Sequence, residues 1–276
     1  SWMHLEILPP SRTGSRETLI PELEQGLLEV LRLVEDAVQD WQKMITRSEE
    51  TIEMLKDPQF INGHADQAGL ACELLGWLNT NHFTFLGYRE YDVITEESGT
   101  TFKVRPGTGL GILRADQDLP GTFHAIPQPN GTPELMIITK DNQKSRVHRP
   151  AYLDYIAFRI FDADQKVVRE RRFLGLFSSS AYSESVARVP VLRQKAAAVI
   201  RLSGYSEHSH GGKAIMDVLE TYPRDELFQT PLAELAAVVE KVAHLKERRQ
   251  VRMFVRRDPY GRYLSCLIYL PRDRYT

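Results

Sequence analysis

The hydrophobic period of this chain changes twice, and those changes restrict the fold more than any other feature. Near the start, Leu19, Leu23, Leu27, Val30, Leu31, Val34, Val38 and Trp41 recur at three- and four-residue steps. That spacing predicts one apolar face on a long helix over about residues 20–46. SEETIEMLKD predicts a second, shorter helix with Ser48 as its N-cap, ended by PQFING. In HADQAGLACELLGWLNTNH, the residues Ala68, Ala71, Leu74, Leu75 and Leu78 share one side of another helix.

After Asn81 the period falls to two. FTFLGYREYDV, TTFKVR, LGILR, LMIITK and SRVHR read as short strands divided by Gly, Pro and Asn. DYIAFRIFD and KVVRERRFLGLF read as a hairpin around Ala163, Asp164 and Gln165. Residues 81–177 therefore predict a mostly antiparallel sheet behind a helix pair.

The helical period then returns in PVLRQKAAAVIRLSG, where Pro190 suits a first turn and Gly204 a stop. It continues in GGKAIMDVLETYPRD and in TPLAELAAVVEKVAHLKERRQ, with Thr230 as N-cap and Pro231 at the first helical position. Two alternating runs flank Asp258-Pro259-Tyr260-Gly261, which fits a type I turn. The opening WMHLEIL reads as a strand, so the chain starts inside an element and is expected to be an excised piece. The fold class is α+β, with a boundary between Ala181 and Pro190.

Bulk properties remove several classes. The chain has 276 residues, 42% hydrophobic content and a formal charge of −2. That supports one large or two ordinary domains and argues against a nucleic-acid binder, which carries a basic excess. Cys72 and Cys266 form no CxxC pair, which fits a reducing cytoplasm and excludes a disulfide framework. No apolar run approaches the roughly 20 residues a bilayer span needs, so no membrane partner is expected.

RPGTGLGILR places Gly107, Gly109 and Gly111 at alternate positions. A dinucleotide cradle needs GxGxxG between a strand and a helix, whose N-terminus meets the phosphates. Here the third glycine is misplaced, and Pro120 and Gly121 break the segment that would be the helix. A turn between strands is expected, with no cofactor bound. In GYSEHSHGGKA, Lys213 precedes Ala214 rather than a hydroxyl residue, and His208 and His210 lack a third metal ligand in range. GLFSSSAYSES contains no GxSxG elbow. No catalytic or metal residue is assigned.

Two basic clusters remain. Arg105, Arg114, Arg146, His148 and Arg149 lie at strand ends and could hold the carboxylate of a small effector. RRQVRMFVRR groups Arg248, Arg249, Arg252, Arg256 and Arg257 among Glu234, Glu240, Glu247 and Asp258. Such mixing implies a solvated face or a contact with another subunit, with Arg252, Arg256 and Arg257 as the interface candidates.

Six phrases together resemble one family: FTFLGYREYD, GTGLGILR, VHRPAYLDYI, RRFLGLFSSSAY, KAIMDVLETYPRDELFQ and VRMFVRRDPYGRYLSCLIYLPRDRY. They are similar to the N-terminal half of the large bacterial NAD-specific glutamate dehydrogenases. The resemblance implies a parent enzyme that deaminates L-glutamate to 2-oxoglutarate and ammonia while reducing NAD. Its catalytic and NAD-binding regions would lie in the other half.

What the resemblance places here is regulatory and architectural. Residues 1–60 would end a first ACT-like module and add linker helices. Residues 61–185 would form a PAS-like module. Residues 186–276 would be a helical segment and the start of a second ACT-like module. The partners implied are the rest of the polypeptide, other subunits of a homo-oligomer and a small-molecule effector. A purely structural subunit-interaction module and a stand-alone ligand sensor are the alternatives.

Overall fold

The computed structural model describes residues 4, 6, 16–61, 63–97, 99–115, 122–126, 133–245 and 250–270. Apart from His4 and Glu6, the expected opening strand lies outside them, as do Arg248 and Arg249. The chain begins with α1 (Arg16–Leu55), a single 40-residue helix. Two helices were expected here, but no Gly or Pro separates Thr46 from Ser48, so nothing stops the first. Ser48 is buried within α1 rather than capping it. Pro21 is the sixth residue of α1, so its missing N–H leaves one bond of the second helical turn unmade. α2 (Pro58–Ile61) and α3 (Ala65–Trp77) come next.

The expected apolar face of α1 is split. Ala37 and Met44 are buried and Leu33 packs against the core, whereas Leu27, Leu31, Val34, Val38 and Trp41 are exposed. The two stripes are offset by one residue, or about 100° around the helix, so only one of them faces the sheet.

The sheet contains β1 (Phe83–Glu96), β2 (Gly99–Val104), β3 (Leu110–Gly111), β4 (Met136–Lys144), β5 (Tyr152–Phe161) and β6 (Val167–Phe177). Its order is β2-β1-β6-β5-β4, every pairing is antiparallel, and β3 joins β1. SRVHR, expected as a strand, is a run of bends in which Ser145 Oγ donates to the Val147 carbonyl and His148 takes φ 67°. Such local bonding competes with a ladder. The β5–β6 hairpin turns at Ala163–Gln165 as expected, with Gln165 at φ 60°.

Alternation along the strands gives the sheet two buried faces. Phe83, Phe85, Tyr88, Phe158 and Phe173 pack with α3 and the end of α1. Leu86, Leu153, Tyr155, Leu174 and Leu176 pack with Ala37 and with Phe123 and Ala125 of the crossing segment.

A second core forms among α5 (Leu192–Leu202), α6 (His210–Thr221), α7 (Arg224–Gln229) and α8 (Leu232–Leu245), reached from the sheet through α4 (Ser179–Ser183). Gly204 ends α5 with φ 72°, as its place after the apolar run requires. The final hairpin is β7 (Arg252–Arg257) and β8 (Leu264–Tyr269). Gly261 N donates to the Asp258 carbonyl at 2.8 Å, which closes the expected turn. Phe254, Leu267 and Tyr269 lay one side of the hairpin on the helical core.

Candidate functional site

The glycine turn is a junction between α1 and the sheet. Gly111 pairs with Gly87 and takes φ 58°, and a Cβ there would collide with the Leu86 carbonyl oxygen. Its amide donates at 3.0 Å to Asp40 Oδ2. Asp40 falls on the buried stripe of α1, in step with Leu33, Ala37 and Met44. Burial alone would push its carboxyl up. Bonds from the Gly111 amide, Lys43 and Arg114 outweigh that and hold it below its ordinary value. An anion does meet the glycine amide, therefore, and it is this chain's own carboxylate. Beyond β3 the described backbone turns through Leu113 and is not helical as far as Ala115.

The five cations at strand ends do not converge. Arg114 pairs with Asp36 and with Asp40 at 2.8 Å, and Arg146 pairs with Glu29 at 3.0 Å, so both clamp α1. Arg105 meets Asp92 at 3.3 Å. Arg149 donates to the Phe177 carbonyl at 2.8 Å, and His148 is exposed.

The basic hairpin is divided in the same way. Arg252 and Arg257 are exposed. Arg256 is buried and grips both oxygens of Glu226 on α7, at 2.9 and 3.0 Å. That grip is internal to the chain.

Between the sheet and its crossing segment lies a charged lattice. Arg172 is fully buried and donates to Glu170 Oε1 at 2.9 Å, while its guanidinium lies 4.0 Å over the Tyr91 ring and 4.6 Å over Tyr155. Tyr155 also donates to Glu170. Arg159 reaches the Ala125 carbonyl at 2.5 Å, and Arg89 reaches the carbonyls of Leu113 and Ala115. Burial works against the Arg172 cation. Tyr155 and Glu170 outweigh it and raise its pKa above the ordinary value. These arginines hold irregular backbone over the strands.

At the free edge of β4, three parts of the chain meet. Lys140 pairs with Asp154 at 2.6 Å and with Asp225 of α7 at 3.2 Å. Burial pushes Asp154 up to about 6 against the pull of Lys140. Arg262 of the hairpin donates to Asp258 at 2.8 Å, to Thr139 Oγ1 at 2.6 Å and to the Lys140 carbonyl. Beside these pairs lies a cavity of about 420 Å³, walled by β4, α3, α5, the α7–α8 corner and the hairpin turn. Lys195 enters it from α5, its Nζ donating to the carbonyls of Leu227 at 2.7 Å and Phe228 at 3.1 Å. Burial pushes Lys195 down to about 8.

Among the described residues, no group of three His, Cys, Asp or Glu side chains could hold a metal. No described helix is long and apolar enough to cross a membrane. Sequence reasoning missed Asp40, Lys195 and Glu226. Only Asp40 left a signal, as an acid in step with apolar core positions.

Residues 189–248 match the family described as Glutamate dehydrogenase, helical motif 1, and residues 252–276 match Glutamate dehydrogenase, ACT2 domain. Three relatives bear the name NAD-specific glutamate dehydrogenase. That of Pseudomonas aeruginosa is 39% identical over 282 residues, covering 100% of this chain and 17% of the relative. That of Halomonas elongata is 38% identical over 268 residues, covering 93% and 16%. That of Mycobacterium tuberculosis is 29% identical over 286 residues, covering 100% and 16%. The chain thus spans a small part of the length of its relatives.

Proposed function

Because the chain is homologous to one stretch of the large NAD-specific glutamate dehydrogenases, we propose that it is a non-catalytic control and assembly segment of such an enzyme. The enzyme as a whole would oxidise L-glutamate to 2-oxoglutarate and ammonia with NAD, in the cytoplasm, using residues outside this stretch. The helical-motif and ACT2 matches support a third module over residues 186–276. The all-antiparallel sheet with α3 against one face supports a PAS-like module over 61–185, preceded by linker helices over 1–60.

The observation that carries the assembly role is the exposed stripe of α1. Leu27, Leu31, Val34, Val38 and Trp41 keep the four-three spacing of a helix that packs along another helix, and among the described residues nothing covers them. Arg114 and Arg146 fix this helix to the sheet, so we assign them a clamping role in place of effector binding. Arg252 and Arg257 stay exposed for a neighbouring subunit and His148 for an anionic ligand, whereas Arg105 and Arg149 already have Asp92 and the Phe177 carbonyl as partners.

The test uses the full-length polypeptide. Leu31→Glu with Val38→Glu should reduce oligomer size in sedimentation while each surviving active subunit keeps its chemistry. Unchanged assembly together with an unchanged response to effectors would remove the basis for this role.

A further inference from the structure

We propose that the cavity among β4, α5, the α7–α8 corner and the hairpin turn binds a small α-amino acid with an apolar side chain, its carboxylate on Lys195 and its amino group toward Glu134. At about 420 Å³ the space falls in the size class of small-molecule sites. Its charged lining is of both signs, as a zwitterion requires. Lys195 Nζ spends two N–H groups on carbonyls at the C-terminal end of α7, which fixes the ammonium and leaves its third N–H for a ligand. Glu134, at the entry to β4, lines the same space and acts on the Lys195 charge. Asp258 also lines it, but Arg262 engages that carboxylate. Leu70, Met136, Val191, Phe228 and Leu232 form the apolar part of the wall, beside the polar Gln67, Thr139 and Gln229.

Two backbone features point the same way. The Leu135 carbonyl accepts from Arg159 N while its N–H donates to Gln67 Oε1 at 3.0 Å, and Ile137 and Thr139, two and four residues on, turn their ladder groups to β5. The alternate residues, Met136 and Ile138, face the cavity side with backbone groups that a bound ligand can use. On the opposite wall, Val191 has φ 67° and ψ −54°, and Leu192 N donates to the Pro190 carbonyl at 2.8 Å. A tight turn of this hand is rare and strained for a β-branched residue, and such strain concentrates at ligand sites.

Burial is the main force lowering Lys195, with Glu134 favouring its charge and Arg256 opposing it, and together they leave it titrating near 8. A carboxylate binds the protonated form, so affinity falls as pH rises through that value. Because the cavity is walled by the sheet edge, the helical segment and the hairpin, an occupant favours the state in which the three stay together. That consequence rests on the control role above; the binding itself does not.

The experiment is titration calorimetry of the 276-residue chain with L-leucine, L-methionine and L-phenylalanine, with the matching 2-oxo acids as a second arm. Saturable one-to-one binding is expected for at least one amino acid, with the 2-oxo acid weaker by about fivefold for want of the Glu134 partner. Binding should weaken about fourfold from pH 7 to pH 8.5. Lys195→Met should abolish it, and so should Met136→Trp, which fills the space and leaves Lys195 in place. No saturable binding by any of the six compounds, or binding that survives both substitutions, overturns the proposal. Equal affinity for both arms overturns the part given to Glu134. Absent binding with Leu31→Glu/Val38→Glu still disrupting assembly defeats the site alone. Binding without any change in the activity of the full enzyme defeats the control role alone.

Discussion

Replacing Arg262 by Met separates the contribution of one side chain from the packing around it. Arg262 joins the hairpin to the sheet edge through Asp258, Thr139 and the Lys140 carbonyl, and its guanidinium lies 3.9 Å over the Phe123 ring. The Arg262 side chain is 10% exposed and that of Asp258 is 0%. Met keeps much of the apolar stem and removes every donor. The main cost is Asp258, left buried without its cation, and breaking a buried pair in this way costs about 3–5 kcal/mol. Asp258 keeps the bond from the Arg262 backbone N–H, so the lower end, about 3 kcal/mol, is expected.

A two-stranded hairpin is marginal alone, so the loss should appear first as its detachment. Hydrogen exchange of the β7 and β8 amides should accelerate by about two orders of magnitude, while central amides of β1 and β6 hold. Adding Asp258→Asn removes the stranded charge and should recover roughly half the loss. Protection in β7 and β8 unchanged within a factor of three would refute the reasoning. So would an equal loss in every strand.

Gly111→Ala should cost about 3 kcal/mol in urea unfolding, since the new methyl meets the Leu86 carbonyl at positive φ, whereas Gly107→Ala, with open space around it, should cost about 1 kcal/mol. Asp40→Asn should destabilise at neutral pH by about 1–3 kcal/mol. Asp40 titrates below its unfolded value of 3.8, so its contribution is present above that pH and lost as pH falls through the folded value, and unfolding curves of the two proteins should converge in acid. Lys195 behaves in the opposite sense. Its folded value near 8 lies below the ordinary 10.5, so the fold carries a penalty below pH 8 that is relieved as pH rises toward 10.5. Relative to Lys195→Met, the chain should gain about 2 kcal/mol between pH 7.5 and 9.5 by chemical denaturation.

Much of the architecture was legible because period and punctuation agree. The two-residue period from Phe83 to Phe177 marks the sheet, and Gly204, Thr230 with Pro231, and Asp258 to Gly261 mark ends and turns. The length of α1 was not legible, because a well-placed Ser reads as a cap whether or not the helix stops. Nor was the division of its apolar residues. Positions 30/31, 33/34 and 37/38 are adjacent in sequence, and only the position of the sheet decides which stripe is covered. Candidate cations could be found by charge but not by partner. Arg114 and Arg256 looked free because Asp40 and Glu226 are 74 and 30 residues away. Lys195 sits among ordinary helix residues, and its cavity exists only once α5, α7 and the edge of β4 are brought together. The glycine turn was legible from Pro120 and Gly121, which bar a helix after it, but the carboxylate that occupies its amide could not be seen in one dimension.

The central claim is that electron transfer to the nicotinamide ring is built outside these residues. The direct measurement supplies the 276-residue chain with L-glutamate and NAD and monitors the absorbance of reduced nicotinamide, with the full-length enzyme as reference. The account predicts no reduction above the rate without protein. Turnover by the chain itself, or NAD held by the amides of Gly107 to Gly111, would contradict it.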